Sequence, residues 1–274
     1  LVDGTSRAAF LKADNRPCGP KAKAAIKLHP THIPVGGVAH LLDQIALVSI
    51  ALALACALWI AIDEMRDPQA MAIMNLVWPV TALYFSGFAV WAYYRMAKSK
   101  SKRAIGSTQA EPQHGGSQPS ASHAASPSLA QVAVGTSHCG AGCMLADVFC
   151  EYGIAAAGLT LFGSVLWAEY AIDFAAAWVL GIVFQYFAIK PMGQMAAGQA
   201  LASAVKADTL SILAFQIGMY GWMALVFFKL FTHPHLTPFV PGYWLMMQVA
   251  MICGYATSLP MNWLLIRAGW KEAM

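Results

Sequence analysis

The sequence predicts an all-α fold, a polytopic transmembrane bundle of six spans, two plus four, joined by a flexible cytoplasmic linker. Composition is the first of three observations behind this. Hydrophobic residues fill 58% of the 274 positions and charged residues 11%, with a mean hydropathy of +0.55, whereas a soluble domain carries roughly a quarter charged residues. The second is layout, because long uncharged apolar runs alternate with short charged stretches. The third is the distribution of the basic side chains, which sort onto one side of an alternating six-span arrangement.

Each element follows in order. Residues 1–40 read as a basic, loosely ordered arm that touches anionic head groups, and residues 1–28 contain no apolar core of the secretory kind. A spanning helix needs about 20 mostly apolar residues, and six runs approach that length: 41–62, 71–94, 144–167, 172–190, 207–230 and 242–266. The first two form a two-helix unit, 41–95. Residues 96–137 hold a Gly/Ser/Pro-rich tract that cannot bury a core and reads as a linker. The last four runs form a four-helix unit, 138–274. No run shows the alternation of a membrane β-barrel. With both termini cytoplasmic, all of the 17 basic residues except Arg66 and Lys229 fall inside, while Asp63, Glu64, Asp67, Glu169 and Asp173 fall in outer loops. The expected location is a bacterial inner membrane and the expected partner is the lipid bilayer, with a homo-oligomer or other membrane subunits as further partners. The net charge of +4 follows this topology, so nucleic-acid binding is not expected. Six cysteines in so apolar a chain do not make a disulfide scaffold.

The sharpest chemical signal is His138-Cys139-Gly140-Ala141-Gly142-Cys143 at the entry to the third span. Two thiols beside an imidazole are soft ligands of the kind that suit Cu(I) or Zn(II). If the glycines fold the backbone, both sulfurs face one point, and Asp147 or Glu151, at i+4 and i+8 from Cys143, completes the coordination. The plainer reading makes Gly-Ala-Gly a turn and Asp147 a helix-start acid.

Polar chemistry continues inside the bilayer, where an ionisable group demands a partner or a purpose. A cluster of Glu151, Asp208 and one or both of Lys190 and Lys206 is expected near the cytoplasmic face, as a proton or cation site or as an interfacial ion pair. Gln185, Gln216 and Gln248 recur in spans four to six, with Met219, Met223 and Met251 on the same faces as the last two. Thioethers and amides of this kind line a path or simply pack and bridge helices. His233-Pro234-His235 in the last outer loop reads as a rigid turn before a metal-collecting one. The common hydrolase, nucleotide-binding and zinc-protease motifs are missing from the sequence, and no catalytic residue is expected.

The runs MNLVWPVTALY with WAYYRM, HCGAGC, EYAIDFAAAWVLGIVFQYFAI, KADTLS, FQIGMYGWMAL, YWLMMQ and TSLPMNWLLIRAGWKEAM resemble an uncharacterised family of bacterial multispan membrane proteins, a domain-of-unknown-function family. The resemblance covers about residues 41–274. It implies an integral inner-membrane protein with the His-Cys-Gly-x-Gly-Cys element as a family feature, and no substrate or catalytic residue. The expected function is a metal-linked, copper or zinc, transporter or metal-handling factor. The alternative is a non-catalytic packing or assembly subunit of a larger membrane complex, and a membrane redox enzyme stands third.

Overall fold

The computed structural model describes residues 35–98, 127–192 and 197–271; the first 34 residues and the linker stretch 99–126 lie outside them. The regular elements are helices. They are α1 (Val35–Arg66), α2 (Met74–Phe85), α3 (Gly87–Ala92, prolonged by a π-helical turn Tyr93–Ala97), α4 (Leu129–Ala157), α5 (Val165–Met192), α6 (Ala197–Leu225, prolonged by a π-helical turn Val226–Leu230) and α7 (Pro241–Arg267). Five of them, α1 and α4 to α7, are long and apolar enough to cross a membrane. The expected sixth span coincides with α7. The fourth and fifth begin earlier than expected, at Val165 and Ala197.

The expected second span is the largest departure. Instead of crossing, 71–94 folds back on itself. Pro79 sits within a continuous α2, and the chain breaks seven residues later at Ser86, with φ 48° and ψ −124°. Twelve residues of α2 rise only about 18 Å, too little for a hydrocarbon core of about 30 Å. The contacts fix the direction of each arm. Asn75 Oδ1 accepts from the Gln69 amide at 2.9 Å, so α2 starts beside the end of α1. Trp59 then donates to the Tyr94 hydroxyl at 3.1 Å, and Lys98 binds Asp63 at 2.6 Å, both 35 residues on, so α3 runs parallel to α1 and returns to its carboxyl end. Helices α2 and α3 are therefore a helical hairpin. Its tip is tied to the last helix, where Gln248 donates to the Leu83 carbonyl at 2.8 Å and accepts from Ser49 of α1 at 2.6 Å.

The hairpin changes the topology. The start of α7 packs against the start of α1, with Gly242 against Leu42 and Asp43, so these two helices are parallel. The start of α1 and the end of α7 lie at opposite ends of the bundle. Lys98, the start of α4 and the end of α7 share one end.

The third span is also displaced, from the expected 144–167 to Leu129–Ala157. Ser128 and Gln131 form a reciprocal capping box at its start, and Gly158, at φ 61°, stops it. Residues 127–137, read as linker, are thus the cap and first turns of α4. The physical cause is shielding: 56% of the most apolar stretch of α4 is buried in protein, against 17% for α1. A helix wrapped by neighbours needs less hydropathy than one wrapped by lipid.

Close helix approach rests on small residues. A Cβ on Gly142 would stand 3.3 Å from the Gly181 nitrogen, and one on Gly218 would stand 2.5 Å from the Cys253 carbonyl oxygen. Gly218→Ala is expected to cost about 1–3 kcal/mol, read as a lower melting temperature in detergent. Gly221→Ala, with open space around it, should leave melting unchanged. Side-specific cysteine labelling or reporter fusions should find the start of α1 across the membrane from both the linker and the carboxyl end.

Candidate functional site

Helix α4 carries Cys139, Cys143, Asp147 and Glu151 at successive four-residue steps, which puts them along one stripe about 18 Å long. All four are buried. The His138–Cys143 element is continuous helix, which overturns the turn expected at Gly140-Ala141-Gly142. Its glycines serve packing: a Cβ on Gly140 would lie 2.5 Å from the Tyr84 hydroxyl at the hairpin tip. Helical geometry also separates the expected ligands, since neighbouring residues point about 100° apart. His138 meets Phe184 edge-on at 6.5 Å, and both its ring nitrogens lack a hydrogen-bond partner among the described residues. Cys139 faces another way, toward α6 and α7. Among the described residues no group of three His, Cys, Asp or Glu side chains is placed to hold a metal ion.

Around Cys139 lies a polar pocket built from three helices and the residue that follows them. The thiol is 3.2 Å from Asp208 Oδ1, 3.0 Å from Ser211 Oγ and 3.3 Å from Lys271 Nζ. Lys271 also donates to Asp208 Oδ1 at 3.3 Å and to Asn262 Oδ1 at 2.8 Å, with its side chain fully enclosed. Asn262 is held in turn. Its amide nitrogen donates to Ser258 Oγ and the Ser258 carbonyl, and Ser211 Oγ donates to its oxygen. Asp208 therefore pairs with Lys271, not with Glu151 or Lys206. Lys206 is exposed and lies over the Trp270 ring at 4.3 Å, and the side chain of Lys190 lies outside the described ones. Sequence reasoning missed Lys271 because it follows the apolar run; the usable signal is Gly269, whose φ of 70° turns the chain back over the bundle. Burial works against the Lys271 ammonium, but Cys139 and Asp208 more than offset it and raise its pKa above the ordinary 10.5. Because the folded value is raised, its stabilising charge is fully present at neutral pH and lost only as pH climbs through that value.

The second polar group sits further along α4. Glu151 adjoins Glu169, Asp173 and the Tyr243 hydroxyl, with Asp147 beside it. Glu169 and Asp173, expected in an outer loop, belong to the early turns of α5 and are 8% and 2% exposed. Their four-residue spacing repeats that of Asp147 and Glu151. None of the four carboxyl groups forms a salt bridge among the described residues. Both oxygens of Asp147, Oε2 of Glu151 and Oδ1 of Asp173 also lack hydrogen-bond partners there.

The remaining polar and thioether candidates divide. Gln185 and Gln216 are fully buried and unpartnered among the described residues. Gln248 is committed to bridging α1, α2 and α7. Met219, Met223 and Met251 lie within the apolar core. His235 stacks on Phe227 at 3.8 Å and bonds the Phe231 carbonyl, as a packed turn residue would. Asp208→Asn, which strands the buried Lys271 charge, is expected to cost about 3–5 kcal/mol, measured by thermal unfolding, with part of the loss restored in Asp208→Asn/Lys271→Met.

Comparison with known families matches residues 128–271 to a domain of unknown function, DUF4396. Neither the curated proteins nor the solved structures yield a match. The matched segment opens on the cap of α4 and closes on Lys271, so it takes in the four-helix unit together with the lysine that reaches back into it. It spans more than half of the sequence, and the chain belongs to the DUF4396 family.

Proposed function

We propose that the protein is an integral membrane protein whose four-helix unit conducts protons or a small monovalent cation. The observation that carries this is the row of enclosed ionisable groups running from Lys271, Asp208 and Cys139 through Cys143 and Asp147 to Glu151, Asp173 and Glu169. Ionisable side chains at membrane depth are costly and mark ion pathways and proton relays. Four carboxyl groups at the far end of that row, without a basic partner among the described residues, have to share protons or admit a cation, since that many like charges in a low dielectric repel strongly. Copper or zinc as cargo loses its support, because the ligands expected for it diverge along α4. The orientation consistent with this role puts the linker, the α5–α6 connection and the carboxyl end in the cytoplasm. Arg66, Arg95, Lys98, Lys190, Lys206, Arg267 and Lys271 then lie inside, as basic residues prefer.

Purified protein in liposomes with a trapped pH dye and a potassium diffusion potential provides the test. Proton entry above that of empty vesicles is the expected result, falling to the empty-vesicle level in Asp147→Asn and Glu151→Gln. Flux equal to that of protein-free vesicles would overturn the reading in favour of a packing or assembly subunit.

A further inference from the structure

The ammonium of Lys271 is coordinated as a ligand would be. Its three protons meet three acceptors, Asp208 Oδ1, Asn262 Oδ1 and Cys139 Sγ, one from each of α6, α7 and α4. The acceptors are oriented in advance. Asn262 cannot easily turn its oxygen away, because its amide nitrogen is engaged twice by Ser258. Ser211 Oγ lies between Cys139 and Asn262. Asp208, Ser211, Asn262 and Cys139 are all 2% exposed or less.

The lysine itself is outside the helices. Gly269 turns the chain at φ 70°, and Trp270, nearly half exposed, rests on Lys206. The described part of the turn is otherwise held by backbone bonds to Leu264, Leu265 and Ile266. On the α4 side the lysine stem passes Gly135, where a Cβ would stand in ordinary contact with its Cε at 3.8 Å.

We propose that the pocket of Cys139, Asp208, Ser211 and Asn262 is a binding site for ammonium or a small primary ammonium ion, which Lys271 fills as a tethered occupant that closes the path at its carboxyl end. One carboxylate matches one positive charge. Three fixed acceptors match the three donors of a primary ammonium group and three of the four of the ammonium ion, whereas a hard alkali or divalent ion would seek a fuller shell of oxygens than a thiol and three side-chain oxygens supply. The closing role rests on the ion-path reading above; the binding role does not.

The test vacates the pocket. Lys271→Ala in detergent should melt below the wild type, and ammonium or methylammonium chloride should raise its melting temperature by several degrees over N-methylglucamine chloride at equal ionic strength. The wild type, its pocket already filled, should not respond, and neither should Asp208→Asn/Lys271→Ala. Should Lys271→Ala not accumulate, the same salts are compared on Lys271→Ser in native membrane vesicles, read as resistance to trypsin. Absence of a selective ammonium effect in the folded variant overturns the site. Selective binding without ion flux in liposomes keeps the site and removes the ion-path reading, so the two failures are distinct.

Discussion

Hydrocarbon offers no hydrogen bonds, and α4 carries a histidine, three cysteines, an aspartate and a glutamate through its middle. That helix is tolerable only because protein surrounds it. The glycines at 140, 142 and 181 let the hairpin tip and α5 approach closely; α6 supplies Asp208 and Ser211 to meet Cys139, and α7 supplies Asn262 to accept from Ser211. Packing comes first, and the polar chemistry depends on it. A helix less tightly wrapped would expose Asp147 to lipid and lose the whole row.

The two ends of that row are balanced differently. At Lys271 each charge has a counter-charge and the ammonium has three acceptors, which makes for a defined, occupied geometry. At Glu151 the carboxyl groups have one another and a phenol, and several of their oxygens are unpartnered among the described residues. Beside the carboxyl groups, Tyr170, which follows Glu169, and Tyr220 lock α5 to α6 by mutual hydroxyl-to-carbonyl bonds of 2.5 and 2.9 Å with their rings stacked.

What the sequence disclosed tracks how each helix is solvated. Helices α6 and α7 were legible because their apolar runs are long and flanked by clear breaks. The start of α4 was not, since Thr136, Ser137 and His138 look like linker unless their burial is known. Asp147 and Glu151 could be read as one helical face from spacing alone. Glu169 and Asp173 repeat that spacing, yet a span begun seven residues late consigned them to a loop. The hairpin had the apolar length of a crossing, and nothing in Phe85-Ser86-Gly87 distinguishes a reversal from an ordinary small-residue site. Lys271 was invisible to hydropathy because it acts from beyond the helix end.

The polar tie that holds the hairpin tip links Leu83 to Gln248, 165 residues downstream. Chains are made from the amino terminus, so the hairpin emerges from the ribosome long before the side chain that ties its tip exists. Its two arms find their partners on α1 and just past its end early, whereas the tip gains its tie only after the last helix has been synthesised.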